Sequence, residues 1–187
     1  MSDQFIAFAK ELSAISGDVI KKGYRNPQNI TIKKDGSPVT TVDKDAETVM
    51  VNMIKERFPE HGIIGEETGS YQEGAEYKWV LDPIDGTKSF IIGKPLFGTL
   101  IGLVKNDEFI LGAIHQPINN ELWLAAKGNG CFLNDKKIHT RTEVALENAV
   151  LCTTGPEYLT TGQFELFQEI SAMAAYTVYG GDCYNYG

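Results

Sequence analysis

The sequence predicts an α+β fold in which two helices pack on an antiparallel sheet, followed by the beginning of an α/β domain. Three observations carry this. Apolar residues recur at helical spacing in two stretches before residue 60. Short alternating segments joined by tight turns fill residues 98–138. Near residue 142 the pattern changes, and strand, helix and strand alternate. We therefore expect an N-terminal α+β unit over residues 1–142 and an incomplete C-terminal α/β unit over 143–187. A chain of 187 residues can bury a sizeable core.

The first helix is expected over residues 3–22. Phe5, Phe8, Leu12, Ile15 and Val19 form its apolar stripe, Ala9, Ser16 and Ile20 lie beside it, and Gly23 marks the stop. Residues 29–33 alternate like a short strand, and 34–38 form a loop. A second helix is expected over 42–58, with Thr40 and Asp43 at the spacing of an N-terminal cap and Pro59 at its end. Its buried side is outlined by Ala46, Val49, Met50, Met53, Ile54 and the stem of Arg57. Residues 62–69 read as a short apolar strand ending in Glu66 and Glu67, which backbone alternation would send to opposite faces. Residues 70–77 read as an exposed connection.

Strands are expected over 98–104 and 108–114 about an Asn106-Asp107 turn, then over 121–126, 131–133 and 136–138. Further on, 143–148 reads as a polar turn or short helix, 149–153 as a buried strand, 163–173 as a helix and 176–179 as a strand. His115 and His139 have no partner at ligand spacing and read as structural or surface residues.

The charge balance excludes some functions. Lys plus Arg number 17 against 25 Asp plus Glu, a net charge of −8, which argues against nucleic acid or an anionic membrane as partner. An acidic protein still binds a phosphate ester when metal ions supply positive charge locally. Cys131, Cys152 and Cys183 are scattered, so reduced thiols in a cytoplasmic setting fit better than disulfides or zinc. No signal-peptide pattern opens the sequence, and no apolar run approaches the ~20 residues of a membrane span.

The chemistry concentrates at residues 79–90. The apolar run Trp79-Val80-Leu81 ends in Asp82 and Asp85, with Pro83 between them to force a turn. Gly86 lets the backbone approach closely or take positive φ, and Thr87 and Lys88 follow. Adjacent carboxylates raise one another's pKa unless a cation sits between them. A hard divalent ion such as Mg²⁺, which takes oxygen ligands, is the simplest resolution. The amides from Gly86 onward could open a helix and hold an anion beside it. A strand followed by ordinary Asp-Pro and Asp-Gly turns is the other reading of the same residues. Phosphatases of the haloacid-dehalogenase type also end a strand in paired aspartates, but two apart, the first a nucleophile. Here the spacing is three with Pro83 inside, which points away from them.

Residues 79–90, Trp-Val-Leu-Asp-Pro-Ile-Asp-Gly-Thr-Lys-Ser-Phe, resemble the first signature of the inositol monophosphatase family of metal-dependent, lithium-sensitive phosphomonoesterases. The resemblance implies the layered α-β-α sandwich shared with fructose-1,6-bisphosphatases, a homodimer and two or three Mg²⁺ ions. It extends to Lys33, Pro38-Val39-Thr40 and Asp43, where the family's aspartate holds a catalytic threonine, and to Gly65-Glu66-Glu67, where the first glutamate binds metal. Lys34 competes with Lys33 for the lysine role, and family spacing favours Lys33. Glu67 then supports the site or anchors its loop.

The implied metal ligands are Glu66, Asp82, the Ile84 carbonyl and Asp85. The implied catalytic residues are Asp43, Thr87 and Glu66. Phosphate and substrate would meet Lys33 and the amides of Asp85, Gly86 and Thr87, and a metal-activated water would attack phosphorus without a phospho-enzyme. Residues 181–184, Gly-Asp-Cys-Tyr, resemble the histidinol-phosphatase branch, in which Asp182 could pair with the substrate amine; its other reading is a helix cap. The family's second signature, a Trp-Asp-x-Ala-Ala-Gly-like run with a further metal-binding aspartate, does not occur, so we expect a chain truncated at its C-terminal side. The implied substrate is a small phosphorylated metabolite, histidinol phosphate foremost. Inositol 1-phosphate, another sugar or nucleotide phosphate, or a catalytically impaired metal-binding module are the alternatives.

Overall fold

Trp79 sits at the centre of the molecule, fully buried on a nine-residue strand whose far end carries the acidic turn. The computed structural model describes residues 2–26, 29–142 and 144–187. In chain order the elements before the turn are α1 (Ser2–Gly23), β1 (Ile30–Ile32), β2 (Pro38–Thr40), α2 (Thr41–Arg57), β3 (Gly62–Gly65), β4 (Gly69–Tyr71) and β5 (Tyr77–Asp85). After it come α3 (Thr87–Ile91), β6 (Gly98–Lys105), β7 (Glu108–Gln116), β8 (Glu121–Ala126), β9 (Gly130–Leu133) and β10 (Lys136–Ile138). The chain closes with β11 (Val150–Thr153), α4 (Thr161–Met173), β12 (Tyr176–Tyr179) and a 3-10 turn, Asp182–Tyr186.

Strands β3 to β10 form one eight-stranded sheet in the order β10-β9-β8-β7-β6-β5-β3-β4. Every neighbouring pair is antiparallel except β3 with β5, so the sheet is mixed rather than purely antiparallel. The cause is β4, an edge strand where the sequence predicts an exposed connection. It turns back on β3, and the chain must then cross to enter β5 in the same direction as β3. The hairpin between β6 and β7 turns at Asn106 and Asp107 with φ of +48° and +63°, the left-handed pair that a tight hairpin requires. β1 and β2 form a separate small hairpin leading into α2.

Both long helices form where the apolar period predicts, but each buries a different stripe. On α1, Ile15 and Val19 are only half-buried, whereas Ser13 and Ser16 are inside with Phe5, Phe8, Ala9, Leu12 and Ile20. The serines donate back to Ala9 O (2.8 Å) and Ser13 O (3.2 Å), so neither hydroxyl is left unsatisfied. Small residues let α1 come close to β7: a Cβ on Gly17 would lie 2.6 Å from His115 Cε1. On α2, Arg57 is exposed and reaches over the Phe8 ring, while Glu47 is buried.

Two apolar clusters result. One gathers Phe5, Phe8, Leu12, Met50, Ile54, Trp79 and the inner residues of β6 and β7 between helices and sheet. There Trp79 Nε1 donates to His61 Nδ1 at 3.1 Å. The other, Ile20, Val42, Ala46, Ile84, Phe90 and Phe97, lies under the acidic turn and fixes its base.

β11 and β12 pair in parallel about α4, which starts with a Thr160–Gln163 capping box, giving the expected strand-helix-strand unit, but β11, expected buried, has no buried residue because the unit's sheet has only these two strands. Of the expected polar turn at 143–148, Leu146–Asn148 is a 3-10 turn, and Glu143 lies outside the described residues. The 3-10 turn after β12 docks on the large sheet. Cys183 is buried beside Gly98, the Tyr184 hydroxyl donates to Glu121 Oε2 at 2.6 Å, and its ring meets Trp123 edge-on.

His115 is structural and His139 is exposed, as expected. Burial, with Lys21 adding to it, lowers His115 to about 4, against weaker opposing effects from the Ser13 backbone and Asp18. A depressed histidine stabilises the fold fully above its unfolded pKa of about 6.5, and that contribution is lost as pH falls toward about 4. His115→Gln should therefore make unfolding less sensitive to acid. In urea titrations the stability of the wild-type chain relative to this variant should fall by on the order of 2 kcal/mol between pH 7 and pH 4. A pH-independent gap would show that His115 does not titrate on unfolding.

Candidate active site

The acidic turn is an interruption of β5. Pairing with β6 is regular up to Asp82 and resumes only at Asp85, so Pro83 and Ile84 bulge out of the ladder. The bulge is pinned from inside by Thr99 Oγ1, which donates to Pro83 O at 2.9 Å, and by the buried Ile84 side chain. Gly86 follows with φ of +94°. A Cβ there would lie 3.0 Å from Leu96 O and 2.9 Å from Asp182 Oδ2, so the site needs glycine for conformation and for space. α3 starts at the next residue.

Asp43 serves both of the roles open to it. Its Oδ2 accepts from the Thr40 amide (2.9 Å) and hydroxyl (2.5 Å), closing the capping box of α2. Its Oδ1 lies 3.2 Å from Thr87 Oγ1, which is also 3.0 Å from Ile84 O. One hydroxyl proton thus has two acceptors. Burial pushes the Asp43 carboxyl up, and the hydrogen bonds from Thr40 and Thr87 pull the other way.

Asp82 is the most perturbed acid. Its Oδ1 is buried and has no hydrogen-bond partner. Burial, the charge and hydrogen bond of Glu66, and the charge of Asp85 together push its carboxyl up to about 9, against the opposing Ile84 amide. Asp85 is held by the far end of the chain: the Cys183 amide donates to its Oδ2 at 2.6 Å.

Glu66 and Glu67 depart from the alternation expected of them. Lys33 Nζ bonds both, at 2.6 Å to Glu66 Oε1 and 2.5 Å to Glu67 Oε1, so the two side chains converge on one cation. Alternation fails because β3 ends at Gly65 and the glutamates lie on a turn. Burial opposes the charge on Lys33, but its bonds to Glu66 and Glu67 outweigh this and hold it above the ordinary lysine range. Glu67 is raised by burial and restrained by Lys33. Of the two candidate lysines, Lys33 is in the site and Lys34 is exposed. Lys33 is turned to the glutamates rather than into the cleft.

Glu47 escaped the sequence reading. Its carboxylate accepts from the Glu67 amide (3.0 and 3.2 Å), the Thr68 amide (2.6 Å) and the Thr68 hydroxyl (2.6 Å). The available signal was its place four residues after Asp43, on the same helix face.

These groups open onto a cleft of about 790 Å³, lined by Glu66, Asp82, Asp85 and Thr87 together with Thr154, Glu157 and Asp182. Asp182 is not the helix cap that its alternative reading made it. Gly181 precedes the 3-10 turn with no side-chain capping bond, and Asp182 itself is left-handed at φ +43°. Its carboxyl is raised by burial and by Asp85, and lowered by a hydrogen bond from Thr154 and by Lys88.

Among the described residues no group of three carboxylates or imidazoles is gathered closely enough to form a ready ligand cage. Glu66 is drawn toward Lys33, and Asp85 toward the Cys183 amide. The donors nevertheless suit a hard cation: carboxylate and carbonyl oxygens only, one of them the unpartnered Asp82 Oδ1.

Comparison with known proteins bears on the same residues. Residues 1–178 match the inositol monophosphatase family. The Arabidopsis thaliana protein named bifunctional phosphatase IMPL2, chloroplastic, is 44% identical over 186 residues, 98% of this chain and 54% of the relative. A Chlorobaculum parvum protein named histidinol-phosphatase is 36% identical over 135 residues, 72% of this chain and 52% of the relative. The structure of an inositol monophosphatase from Zymomonas mobilis superposes with a TM-score of 0.87 at 41% identity, covering 99% of this chain and 72% of that one. The chain spans about half the length of the curated relatives it matches.

The Asp82 environment generates a prediction for the metal-free protein. A carboxyl raised to about 9 leaves the fold unpenalised below its unfolded pKa and destabilises it increasingly as pH rises through that range. Asp82→Asn removes the ionisation. In EDTA at pH 7–8 the variant should be more stable than the wild-type chain by on the order of 2 kcal/mol, and the gap should vanish near pH 4. A variant less stable than wild type at pH 8 would mean that the carboxylate is already well compensated.

Proposed function

The chain belongs to the inositol monophosphatase family, and on that premise we propose that it hydrolyses a small phosphomonoester with Mg²⁺ as cofactor, histidinol phosphate foremost. The observation that carries this reading is the buried, unpartnered Asp82 Oδ1 between Glu66 and Asp85, at the floor of an open cleft. Glu66, Asp82, the Ile84 carbonyl and Asp85 are the residues that would hold the ion. When bound, Mg²⁺ supplies positive charge for the phosphate and makes water a better nucleophile at neutral pH.

The rest follows from the chain's own groups. With its proton donated to Asp43, the Thr87 oxygen presents lone pairs to the cleft and accepts a hydrogen bond from the attacking water. Asp43, raised by burial, is suited to take up the proton that Thr87 relays. The Gly86 and Thr87 amides, exposed by the left-handed turn, hold phosphate oxygens as charge develops on them. Lys33 holds Glu66 and Glu67 in place.

For the substrate, Asp182 is the informative residue. It lines the cleft beside Gly86, close to where the phosphate would sit, so a substrate with an amine near its phosphate would place a cation against this carboxylate. The relative named histidinol-phosphatase supports that substrate. Inositol 1-phosphate is the second reading. It is favoured by Thr153 and Thr154 in the cleft lining, which offer hydroxyls to a polyol, and by the Aquifex aeolicus relative named fructose-1,6-bisphosphatase/inositol-1-monophosphatase.

Phosphate release from the two esters, with Mg²⁺ present, tests the reading. Asp85→Asn should lower kcat by about 100-fold or more while circular dichroism stays unchanged; a folded and fully active variant contradicts the role of Asp85. Asp182→Asn should raise KM for histidinol phosphate about tenfold and leave turnover of inositol 1-phosphate unaltered. Equal effects on both esters would make Asp182 a structural residue.

A further inference from the structure

Glu47 has no exposed surface (0%), and its hydrogen-bond partners lie on one short turn. Its carboxylate takes the Glu67 amide, the Thr68 amide and the Thr68 hydroxyl, with distances from 2.6 to 3.2 Å. All are donors and the carboxylate is an acceptor, so the set is matched without a cation. The approach is tight enough to dictate the preceding residue: a Cβ on Gly65 would lie 2.2 Å from Glu47 Oε1. Strand β3 therefore ends in glycine because a buried carboxylate passes beside it. The next residue along, Glu66, makes the contacts to Asp82 and Lys33.

Asp43 and Glu47 are one helical turn apart on α2 and point to the same face. The first holds Thr87, and the second holds the turn that bears Glu66. A single rigid helix thus fixes the separation between the proton-handling hydroxyl and a carboxylate on the turn after β3. We propose that Glu47 is a positioning residue: without touching metal or substrate, it sets the 66–68 turn so that Glu66 meets Asp82 in the metal site. The inference rests on the metal reading of Glu66.

A glutamine at 47 keeps the shape but must present an NH₂ group to one of these part-buried donors, which loses that acceptor. The turn is then held by fewer bonds while the helix remains. Calorimetric titration of Mg²⁺ into wild type, Glu47→Gln, Thr68→Val and Asp82→Asn tests this directly. Wild type should bind, Asp82→Asn should not, and Glu47→Gln should bind about tenfold or more weakly. Thr68→Val removes only the hydroxyl from an exposed residue and should bind several-fold more weakly, by roughly the worth of one hydrogen bond.

In a phosphate-release assay, Glu47→Gln should raise the Mg²⁺ concentration for half-maximal rate and leave kcat at saturating Mg²⁺ within about threefold. A folded Glu47→Gln chain with wild-type Mg²⁺ affinity overturns the proposal, because a merely structural residue would lower stability alone. If Glu47→Gln does not fold, Thr68→Val decides, and affinity within twofold of wild type overturns it. Wild type that takes up no Mg²⁺ removes the metal reading and this inference with it, whereas loss confined to Asp82→Asn removes only the inference.

Discussion

Three carboxylates, Glu66, Asp82 and Asp85, face one cleft without closing into a ligand cage and with too little cationic charge among them, and the surrounding structure answers to that constraint. In water such a cluster disperses. Here the bulge in β5, the Thr99 bond to Pro83 and the apolar floor of Ile84, Phe90 and Phe97 keep Asp82 in place, and its carboxyl is driven to about 9. Lys33 relieves the glutamates but leaves Asp82 Oδ1 with nothing to bond. A ligand that brings positive charge would let Asp82 ionise, so its binding is coupled to loss of the Asp82 proton.

The elements that enforce the constraint come from distant parts of the chain. α2 reaches the site twice, through Asp43 and Glu47. The turn after β3 supplies the glutamates, and the small hairpin of β1 and β2 brings Lys33. Residues 180–187 close the far side, where the Cys183 amide holds Asp85 and Asp182 crowds Gly86. Each contact is long-range in sequence, so the site forms only once helix, sheet and closing turn are assembled. This explains why positions such as Gly17, Gly65, Gly86 and Gly98 tolerate no side chain: each is where one element presses on another.

Much of this was legible in the sequence, for identifiable reasons. The strand ending in Asp82-Pro-Ile-Asp85-Gly86 announced itself because a proline, a glycine and two acids have few joint uses after an apolar run. Helices and hairpins followed from period and turn chemistry. What escaped was whatever depends on tertiary closeness. Alternation assigned Glu66 and Glu67 to opposite faces, and it failed because a turn, not a strand, carries them. Glu47 was passed over because a stripe drawn by hydrophobicity skips a buried acid whose partners lie about 20 residues away, beyond any local pattern. Edge strand β4 was missed because Gly69-Ser70-Tyr71 is too short and polar to alternate visibly. On α1, Ser16 was read as the margin of the stripe and Ser13 was passed over, because a hydrophobic period does not register a buried hydroxyl that bonds back to its own helix.

The proposed chemistry turns on whether the acids at the end of β5 hold a cation. Crystals soaked in Mn²⁺, measured by anomalous diffraction, address it most directly, because Mn²⁺ prefers the same oxygen ligands as Mg²⁺ and scatters strongly. An anomalous peak bonded to Asp82 Oδ1 is expected, with Glu66 turned from Lys33 toward the ion and Asp85 beside it. A map with no peak there, and with the Lys33 bonds to Glu66 and Glu67 unchanged at saturating Mn²⁺, would contradict the cation site.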